Sequence, residues 1–483
     1  MRRPGLLVRA RFNLAALVGA WAMLSHPTAR AYEPATTHAG LTERALEASR
    51  LHQVLAHVGR PLGLLEPLHI GLDLLDQDER RALRARFDAL DSAGGYRPGT
   101  DGVASAGQWV VAGAVLAKTP PERGANHFLD PVSGKGLHDG PGLSGFAHGL
   151  RLLFDGGASV RSLAAGTAFT LEGKSALDWI WAPGNDLGVP VVLDNWERAV
   201  SLAEPRAREA ALVRALLALG GVMAVLEDAG EPAFVRNDFR GAFLQRDDGS
   251  AYEQFVAQHY GRSALPAAAA LVSRPDIASF FASADGKGLA NRTQRRFFSE
   301  GTIPADVSIE RDTKVADVVR RACESLEFPS PTLSALALWP AQPTHYLVLD
   351  GHRVLAYENT GRQVRFFLDD AVYADMARTL LPEIAGYAAG LLNHLLRARL
   401  DMTAAGTSVT IHLAGEIKEG GALRVFVEDG SGQRRELPGA GATVSPGGEI
   451  VVSPPAGARK LAAVLRGRDA SGPFVAAGEV MLP

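Results

Sequence analysis

The sequence predicts a mainly α-helical protein with a small β-excursion, followed by a C-terminal β-sandwich module. Apolar residues recur at helical spacing through much of the chain up to Arg399, whereas residues 344–370 alternate as strands do. After Arg399 short strand-like runs stand between Gly- and Pro-rich turns, which is typical of an all-β sandwich. These observations divide the chain into residues 1–31, 32–402 and 403–483.

Residues 1–31 have the features of a secretory signal peptide. A basic segment precedes the short apolar run at 13–24, and the triplet ending at Ala31 fits the small-residue cleavage rule. We therefore expect a secreted, periplasmic or cell-envelope protein whose mature chain begins at Tyr32. No later apolar run is predicted to reach the roughly 20 residues that a transmembrane helix needs.

Composition excludes some classes of protein. The chain has 483 residues, of which 47% are hydrophobic and 21% charged, as in ordinary globular proteins. Its formal net charge of −3 becomes more negative when the arginine-containing signal peptide is removed, so the mature chain lacks the basic footprint of a sequence-independent nucleic-acid binder. The single cysteine, Cys323, excludes an intrachain disulfide and is interpreted as a buried apolar residue.

The helical patterns follow one another along the middle of the chain. A loop dense in Gly and Pro is expected at 119–146, and Asp350-Gly351 is a hairpin signal within the β-excursion. The segments with helical or continuous apolar patterns are 38–58, 78–90, 109–116, 160–168, 194–202, 206–227, 252–259, 267–283, 312–327 and 373–400.

The stretch 206–239 is the one around which the chain is organised. Its first part has the apolar density of a buried helix and ends on Glu227-Asp228, where the helix dipole disfavours negative charge. A carboxylate buried there without a partner would cost several kcal/mol or lose its charge. Asp228 is therefore expected to have a cation beside it, which is Arg236, a lysine or a metal ion.

Four segments in order resemble the zinc-dependent phospholipase C superfamily, which also contains the single-strand-specific nucleases. They are TTHAGLTERAL (36–46), RGANHFLDPVSGKGL (123–137), GGVMAVLEDAGEPAFVRNDF (220–239) and GSAYEQFV (249–256). The resemblance covers residues 32–400 and implies a phospholipase C-like helical domain. In that family a cluster of up to three zinc ions activates water to attack a phosphodiester in a phospholipid or nucleic acid.

The resemblance implies an incomplete set of metal ligands. The matching metal positions are Tyr32, His38, His127, Asp228 and Glu253, and the catalytic residues of an active protein would be Asp228 and His127. An expected aspartate falls on Ala117-Lys118, and the expected histidines fall on Ala224, Phe234 and Gly249. Because a zinc site usually has three or four protein ligands, zero or one zinc ion is expected rather than three.

These losses suggest that a side-chain cation replaces zinc, with Lys118 and Arg236 as the two candidates. The leading hypothesis is a weakly active or inactive homologue that acts by binding, with phospholipid or another phosphodiester as partner. One alternative is a hydrolase that uses one ion held by Tyr32, His38 and Asp228. Another is an envelope- or polymer-binding protein that acts through its β-module. The sequence leaves the substrate, the enzymatic status and the oligomeric state open.

Overall fold

The computed structural model describes residues 34–74, 77, 81, 84, 102–118, 121–138, 173–238, 250–261, 264–309, 314–324, 337–339 and 344–483. Within these residues a helical first part is followed by antiparallel sheets, which agrees with the predicted order of elements. The signal peptide, Tyr32, Gly249, the predicted helix at 160–168 and most of the one at 78–90 lie outside them.

The described α-helices are α1 (Ala39–Ala48), α2 (Leu51–His57), α3 (Ala106–Leu116), α4 (Ala176–Trp181), α5 (Val189–Ser201), α6 (Pro205–Asp228), α7 (Pro232–Val235), α8 (Ala251–His259), α9 (Ile277–Phe281), α10 (Leu289–Arg296), α11 (Val315–Glu324) and α12 (Asp370–Leu395). A π-helical turn spans Pro34–His38, and 3₁₀ turns span Gly63–Leu65, Leu72–Leu74, Pro121–His127 and Glu300–Thr302.

Helix α6 forms the centre of the helical part and packs against α3, α5 and α12. By length and composition it is the one described helix that could cross a membrane, so the prediction that no later run is long enough is wrong on that criterion. Of its most apolar window, 89% is buried inside the protein. Core helices of globular proteins, which are apolar on all sides, pass the same test.

Glycines allow α3 and α6 to approach closely. A Cβ atom added to Gly113 of α3 would lie 1.9 Å from the carbonyl oxygen of Leu217, and one added to Gly220 of α6 would lie 1.8 Å from that of Val110. The two backbones therefore meet where neither helix has a side chain. This crossing fixes the C-terminal ends of both helices, which carry Lys118 and Asp228.

Two predicted helices differ from the structure. The segment 38–58 is divided, because the Ser49 hydroxyl donates to the Leu46 carbonyl and α1 ends there. The helix predicted at 267–283 is wrong except for α9. Ala269 and Val272 instead donate backbone hydrogen bonds to carbonyls of α12, and Gly386 leaves room for this contact. Tertiary packing here overrides the helical preference of an alanine-rich segment.

The β-excursion belongs to a five-stranded antiparallel sheet with the order β3–β7–β6–β5–β4. Its hairpin turn at Asp350-Gly351 has positive φ at both residues, 50° and 82°, as a two-residue hairpin loop requires. Its strands are β3 (Val307–Ser308), β4 (Ala337–Trp339), β5 (His345–Leu349), β6 (His352–Asn359) and β7 (Gln363–Phe367), and a separate pair is β1 (Pro67–His69) with β2 (Val103–Ser105).

The C-terminal part has two antiparallel sheets around their own apolar core. One sheet has the order β13–β9–β8, and the other has β11–β10–β14–β15 with β12 also on β10. The first strand begins at Ala398, inside the region that the sequence analysis assigns to the helical domain. The boundary was predicted too late because the residues LLRARL continue the helical pattern. The strands are β8 (Ala398–Ala405), β9 (Ser408–Gly415), β10 (Gly421–Glu428), β11 (Arg434–Glu436), β12 (Ala442–Val444), β13 (Glu449–Val452), β14 (Lys460–Asp469) and β15 (Gly472–Met481).

Buried polar contacts join the sheets to the helices. The Arg434 guanidinium pairs with Glu428 and Glu479 of the sheets and donates to the Val200 carbonyl at the end of α5 at 2.7 Å. Arg208 of α6 donates to the carbonyl of Gly432 at 2.8 Å. The C-terminal module is therefore docked on the helical part through desolvated charged groups.

Candidate functional site

The candidate site lies where four segments of the helical part end or begin. Lys118 follows α3 by two residues, His127 ends a 3₁₀ turn, and Asp228 ends α6. His38 ends the π-helical turn that leads into α1. The side chains of His38, His127 and Asp228 are 0% exposed and that of Lys118 is 7% exposed, so the cluster is closed to solvent.

Asp228 has three cationic or imidazole partners. The Lys118 ammonium donates to its Oδ1 atom at 2.7 Å, and Nδ1 of His127 lies 2.6 Å from its Oδ2 atom. The Nε2 atom of His38 lies 3.3 Å from Oδ1. The buried carboxylate at the end of α6 therefore has the cation that its position requires, and that cation is a lysine.

Glu227 forms the second layer of the cluster. Its Oε2 atom lies 2.6 Å from Nδ1 of His38, and its Oε1 atom accepts a 2.9 Å hydrogen bond from the hydroxyl of Thr42. His38 thus lies between two carboxylates, with Nδ1 at hydrogen-bonding distance from Glu227 and Nε2 at ion-pair distance from Asp228. Sequence reasoning missed Glu227 and Thr42. Their signals were adjacency to Asp228 at a buried helix end and a position one turn after His38.

Burial and these contacts shift the pKa values of the two carboxylates and the two histidines. Burial opposes ionisation of Asp228, but Lys118, His38 and His127 hold its pKa well below the usual 3.8. Burial also opposes protonation of His38, but Asp228 and Glu227 raise its pKa above 6.5. Burial lowers the pKa of His127 to about 4. Burial raises the pKa of Glu227 above 4.5, against the opposing effect of His38.

Three of the predicted ligand losses, Lys118, Ala224 and Phe234, lie in the described part of the chain and are buried. The Lys118 ammonium lies 4.7 Å from the ring centroid of Phe234, and that ring lies 4.5 Å from the ring of Phe128. Ala224 is fully buried and packs with Ala114 and Ala117. Lys118 and Phe234 are thus in contact, and Ala224 packs against the residue that precedes Lys118.

Arg236, the other candidate for the replacement cation, is directed elsewhere. Its guanidinium donates to the carbonyls of Gln294 at 2.6 Å and Phe297 at 2.8 Å, at the C-terminal end of α10. These carbonyls lack partners within the helix, and a cation there also complements the helix dipole. Of the two candidates, Lys118 is therefore the one that contacts Asp228, and the prediction for Arg236 is corrected.

Glu253 lies in a second buried acidic cluster. Its carboxylate accepts from the backbone N–H of Ser250 at 2.8 Å in a capping box that begins α8. The Ser250 hydroxyl donates to Glu231 at 3.0 Å. Burial, Glu253 and Glu300 raise the pKa of Glu231 well above 4.5. Sequence reasoning missed Glu231, whose signal was its N-cap position before Pro232.

The residues present do not fit a zinc ion at Asp228. Both carboxylate oxygens are engaged, His38 directs both ring nitrogens at carboxylates, and the Lys118 ammonium stands at hydrogen-bonding distance. A divalent cation there would face that ammonium in a buried environment, where charge repulsion is strong. Within the described residues no group of three or more His, Cys, Asp or Glu side chains is arranged for a metal.

Comparison with solved structures finds a likeness to the alpha toxin from Clostridium absonum. The two chains are 12% identical, and the match covers 94% of this chain and 96% of that chain with a TM-score of 0.25. No family model and no curated protein matches the sequence. A likeness at this TM-score carries no argument, so function is argued from the residues of the site.

Proposed function

We propose that this chain is an exported protein of the zinc-dependent phospholipase C type in which buried ion pairs replace the metal cluster, and that it acts by binding rather than hydrolysis. The observation that carries the proposal is the 2.7 Å contact between the Lys118 ammonium and Asp228 Oδ1, with both side chains buried. The lysine supplies the positive charge that the carboxylate needs and holds the position from which a metal would act.

The state of the two predicted catalytic residues supports the same conclusion. Phosphodiester hydrolysis requires a polarised water and access for the substrate. His127 and Asp228 are fully buried, and both carboxylate oxygens of Asp228 are engaged, Oδ1 by Lys118 and Oδ2 by His127. A histidine with a pKa of about 4 is a weak general base at neutral pH. The cluster therefore has the properties of a structural core.

The test is metal and activity analysis of the purified, correctly processed protein. We expect less than one tightly bound zinc ion per chain, no turnover of chromogenic phosphodiesters, and an unfolding midpoint that a chelator does not change. Two or three tightly bound zinc ions per chain would contradict the replacement of the cluster. Adding zinc to metal-free protein before the assay controls for loss of metal during purification.

The two alternatives give different results in the same experiment. A single-ion hydrolase would bind one zinc per chain and lose activity with a chelator and in His38→Ala. A protein that acts through the β-module would still bind its envelope component or polymer when Lys118, Asp228 or His127 is substituted. The buried contacts of Arg434 and Arg208 tie that module to the helices, so its function is best tested in the full chain.

A further inference from the structure

A cavity of about 230 Å³ lies at the junction between the helical part and the β-sandwich. Its walls come from α2, from Trp196 of α5, from the link between α12 and β8, and from Ala477 of β15. A water molecule needs roughly 10–15 Å³ of such volume, so the cavity has room for a chain of carbon atoms. It lies apart from the Asp228 cluster, with which it shares no lining residue.

The floor of this junction cavity is apolar. Val58, Trp196, Leu396 and Ala477 line it, and each of them is buried in the surrounding structure. Apolar walls with a few directed polar groups are the usual composition of small-molecule sites. The floor therefore favours an apolar body in the bound molecule.

The charged side chains in the remaining lining are cationic. Arg50, Arg397 and Arg399 line the cavity together with His57, and no aspartate or glutamate is among its described lining residues. Arg397 is almost fully buried and pairs with Asp469 at 2.9 Å, while its Nε atom has no hydrogen-bond partner among the described residues. A guanidinium nitrogen left without an acceptor in a buried wall favours a ligand that supplies one.

The two rim arginines are available for exchange of partner. Arg50 pairs with Glu416 at 3.4 Å and Arg399 with Asp401 at 2.9 Å, and all four side chains are exposed to solvent. Exposed pairs of this kind contribute little to stability, because water screens both charges. An anion that enters the cavity can therefore gain either arginine at little cost.

A neighbouring cavity of about 190 Å³ provides the contrast. It shares Val58 and Trp196 with the junction cavity, but three glutamates line it together with its basic residues. Arg434 and Lys460 there are already paired with Glu479. The junction cavity thus has no carboxylate among its described lining residues, which makes it the one of the two whose walls favour an anion.

We propose that the junction cavity binds a small amphiphilic anion. Its carboxylate or phosphate head group lies between Arg50 and Arg399, and its alkyl body packs on Trp196, Leu396 and Ala477. Binding at this site does not depend on whether the protein binds zinc, because the charge and the volume of the cavity do not involve Lys118 or Asp228. Its test can therefore fail while the proposed function stands, and the reverse.

The test is calorimetric titration of the full mature chain with octanoate and with octyl phosphate below their micellar concentrations. Two matched probes each lack one feature of these ligands. Inorganic phosphate lacks the alkyl body, and octyltrimethylammonium lacks the negative charge. The variants are Arg399→Gln at the rim and Ala477→Leu at the floor. Arg435→Gln, an exposed arginine outside the cavity lining, is the control.

We expect both alkyl anions to bind, with the tighter one identifying the head group. Arg399→Gln should weaken binding about tenfold or more, as loss of a charged hydrogen bond does, while Arg435→Gln binds as the wild type does. Ala477→Leu should abolish binding, because the larger side chain fills the floor of the cavity. If this variant does not fold, the test rests on the binding of Arg399→Gln. Absence of binding up to millimolar ligand, equal binding of the alkylammonium, or equal binding of inorganic phosphate would overturn the proposal.

Discussion

The ammonium group of Lys118 lies 4.7 Å from the ring centroid of Phe234 and 2.7 Å from Oδ1 of Asp228. Lys118 and Phe234 both stand at positions where the family resemblance implies a metal ligand. An aromatic face attracts a cation most strongly when water is excluded, and here both residues are buried. The two departures from the ligand pattern are therefore physically coupled, since one supplies a cation and the other completes its environment.

Lys118→Met should destabilise the protein by about 3–5 kcal/mol, because it removes one partner of a buried ion pair and leaves Asp228 charged. Methionine is unbranched and only one heavy atom shorter than lysine, so the loss of charge dominates the effect. The measurement is the free energy of unfolding in urea at pH 7.

The control is the double variant Lys118→Met/Asp228→Asn, with Asp228→Asn alone. Removing both charges should cost less than the sum of the two single changes, since the uncompensated carboxylate is gone. Costs that add without any coupling would show that Lys118 does not stabilise Asp228 in the way its 2.7 Å contact indicates.

A second prediction concerns zinc. In Lys118→Ala/Phe234→His the ammonium is replaced by open space, and a histidine stands beside Asp228, His38 and His127. Three or four such ligands suit zinc. We expect the double variant to bind one zinc ion at least about tenfold more tightly than the wild type, a difference of about 1.4 kcal/mol.

Phe234→His with Lys118 retained is the matched control for this gain. Its additional histidine should not create a zinc site, because the lysine still supplies the positive charge at Asp228. The measurement is competition with a chromophoric chelator. Equal zinc affinity of the single and double variants would mean that Lys118 does not exclude the metal.

The sequence predicted the centre of this site better than its surroundings. The need of Asp228 for a cation follows from its place at the end of a buried helix, and Lys118 was one of two candidates. The choice against Arg236 depends on where α10 ends, which is a tertiary fact. Glu227 was not predicted, because its adjacency to Asp228 at a buried helix end marks both carboxylates alike and does not show which of them faces a distant histidine.

At the level of the fold, local patterns succeeded where packing agrees with them. The Asp350-Gly351 turn has the φ values that its residue types favour. The prediction for 267–283 failed because Ala270 and Val272 lie against Gly386 and Gly390 of α12, a tertiary contact that no local pattern encodes. Similarly, the start of β8 at Ala398 is hidden by a continuing helical pattern.

A third prediction concerns pH. The pKa of His127 is about 4 in the folded protein, against an ordinary value of 6.5. Between these values the unfolded chain binds a proton that the folded chain does not, so this group makes the free energy of unfolding fall as pH decreases from 6.5 toward 4. His127→Asn, which keeps a donor toward Asp228, should remove this part of the dependence.

The difference between the two urea-unfolding profiles isolates His127. Glu227 and Glu231 have raised pKa values and contribute with the opposite sign, since their stabilisation is lost as pH rises through those values. They are common to both proteins and largely cancel. Parallel profiles for wild type and His127→Asn across this range would contradict the buried, neutral histidine.

The last prediction tests the helix crossing that sets the position of Lys118 and Asp228. Gly220→Ala places a Cβ atom 1.8 Å from the backbone carbonyl oxygen of Val110, so the helices must move apart. Overpacking of this kind costs about 1–3 kcal/mol. Because both helices lead directly into the ion pair, the separation should also lengthen the Lys118–Asp228 contact.

Gly184→Ala is the matched control, because a Cβ atom there meets nothing within 4 Å. It should change the free energy of unfolding by no more than about 0.5 kcal/mol. Adding Lys118→Met to each background distinguishes a local clash from a shift of the site. If the helices separate, Lys118→Met should cost less in Gly220→Ala than in Gly184→Ala, since part of the ion-pair energy is already lost. An equal cost in both backgrounds would mean that the crossing does not position the pair.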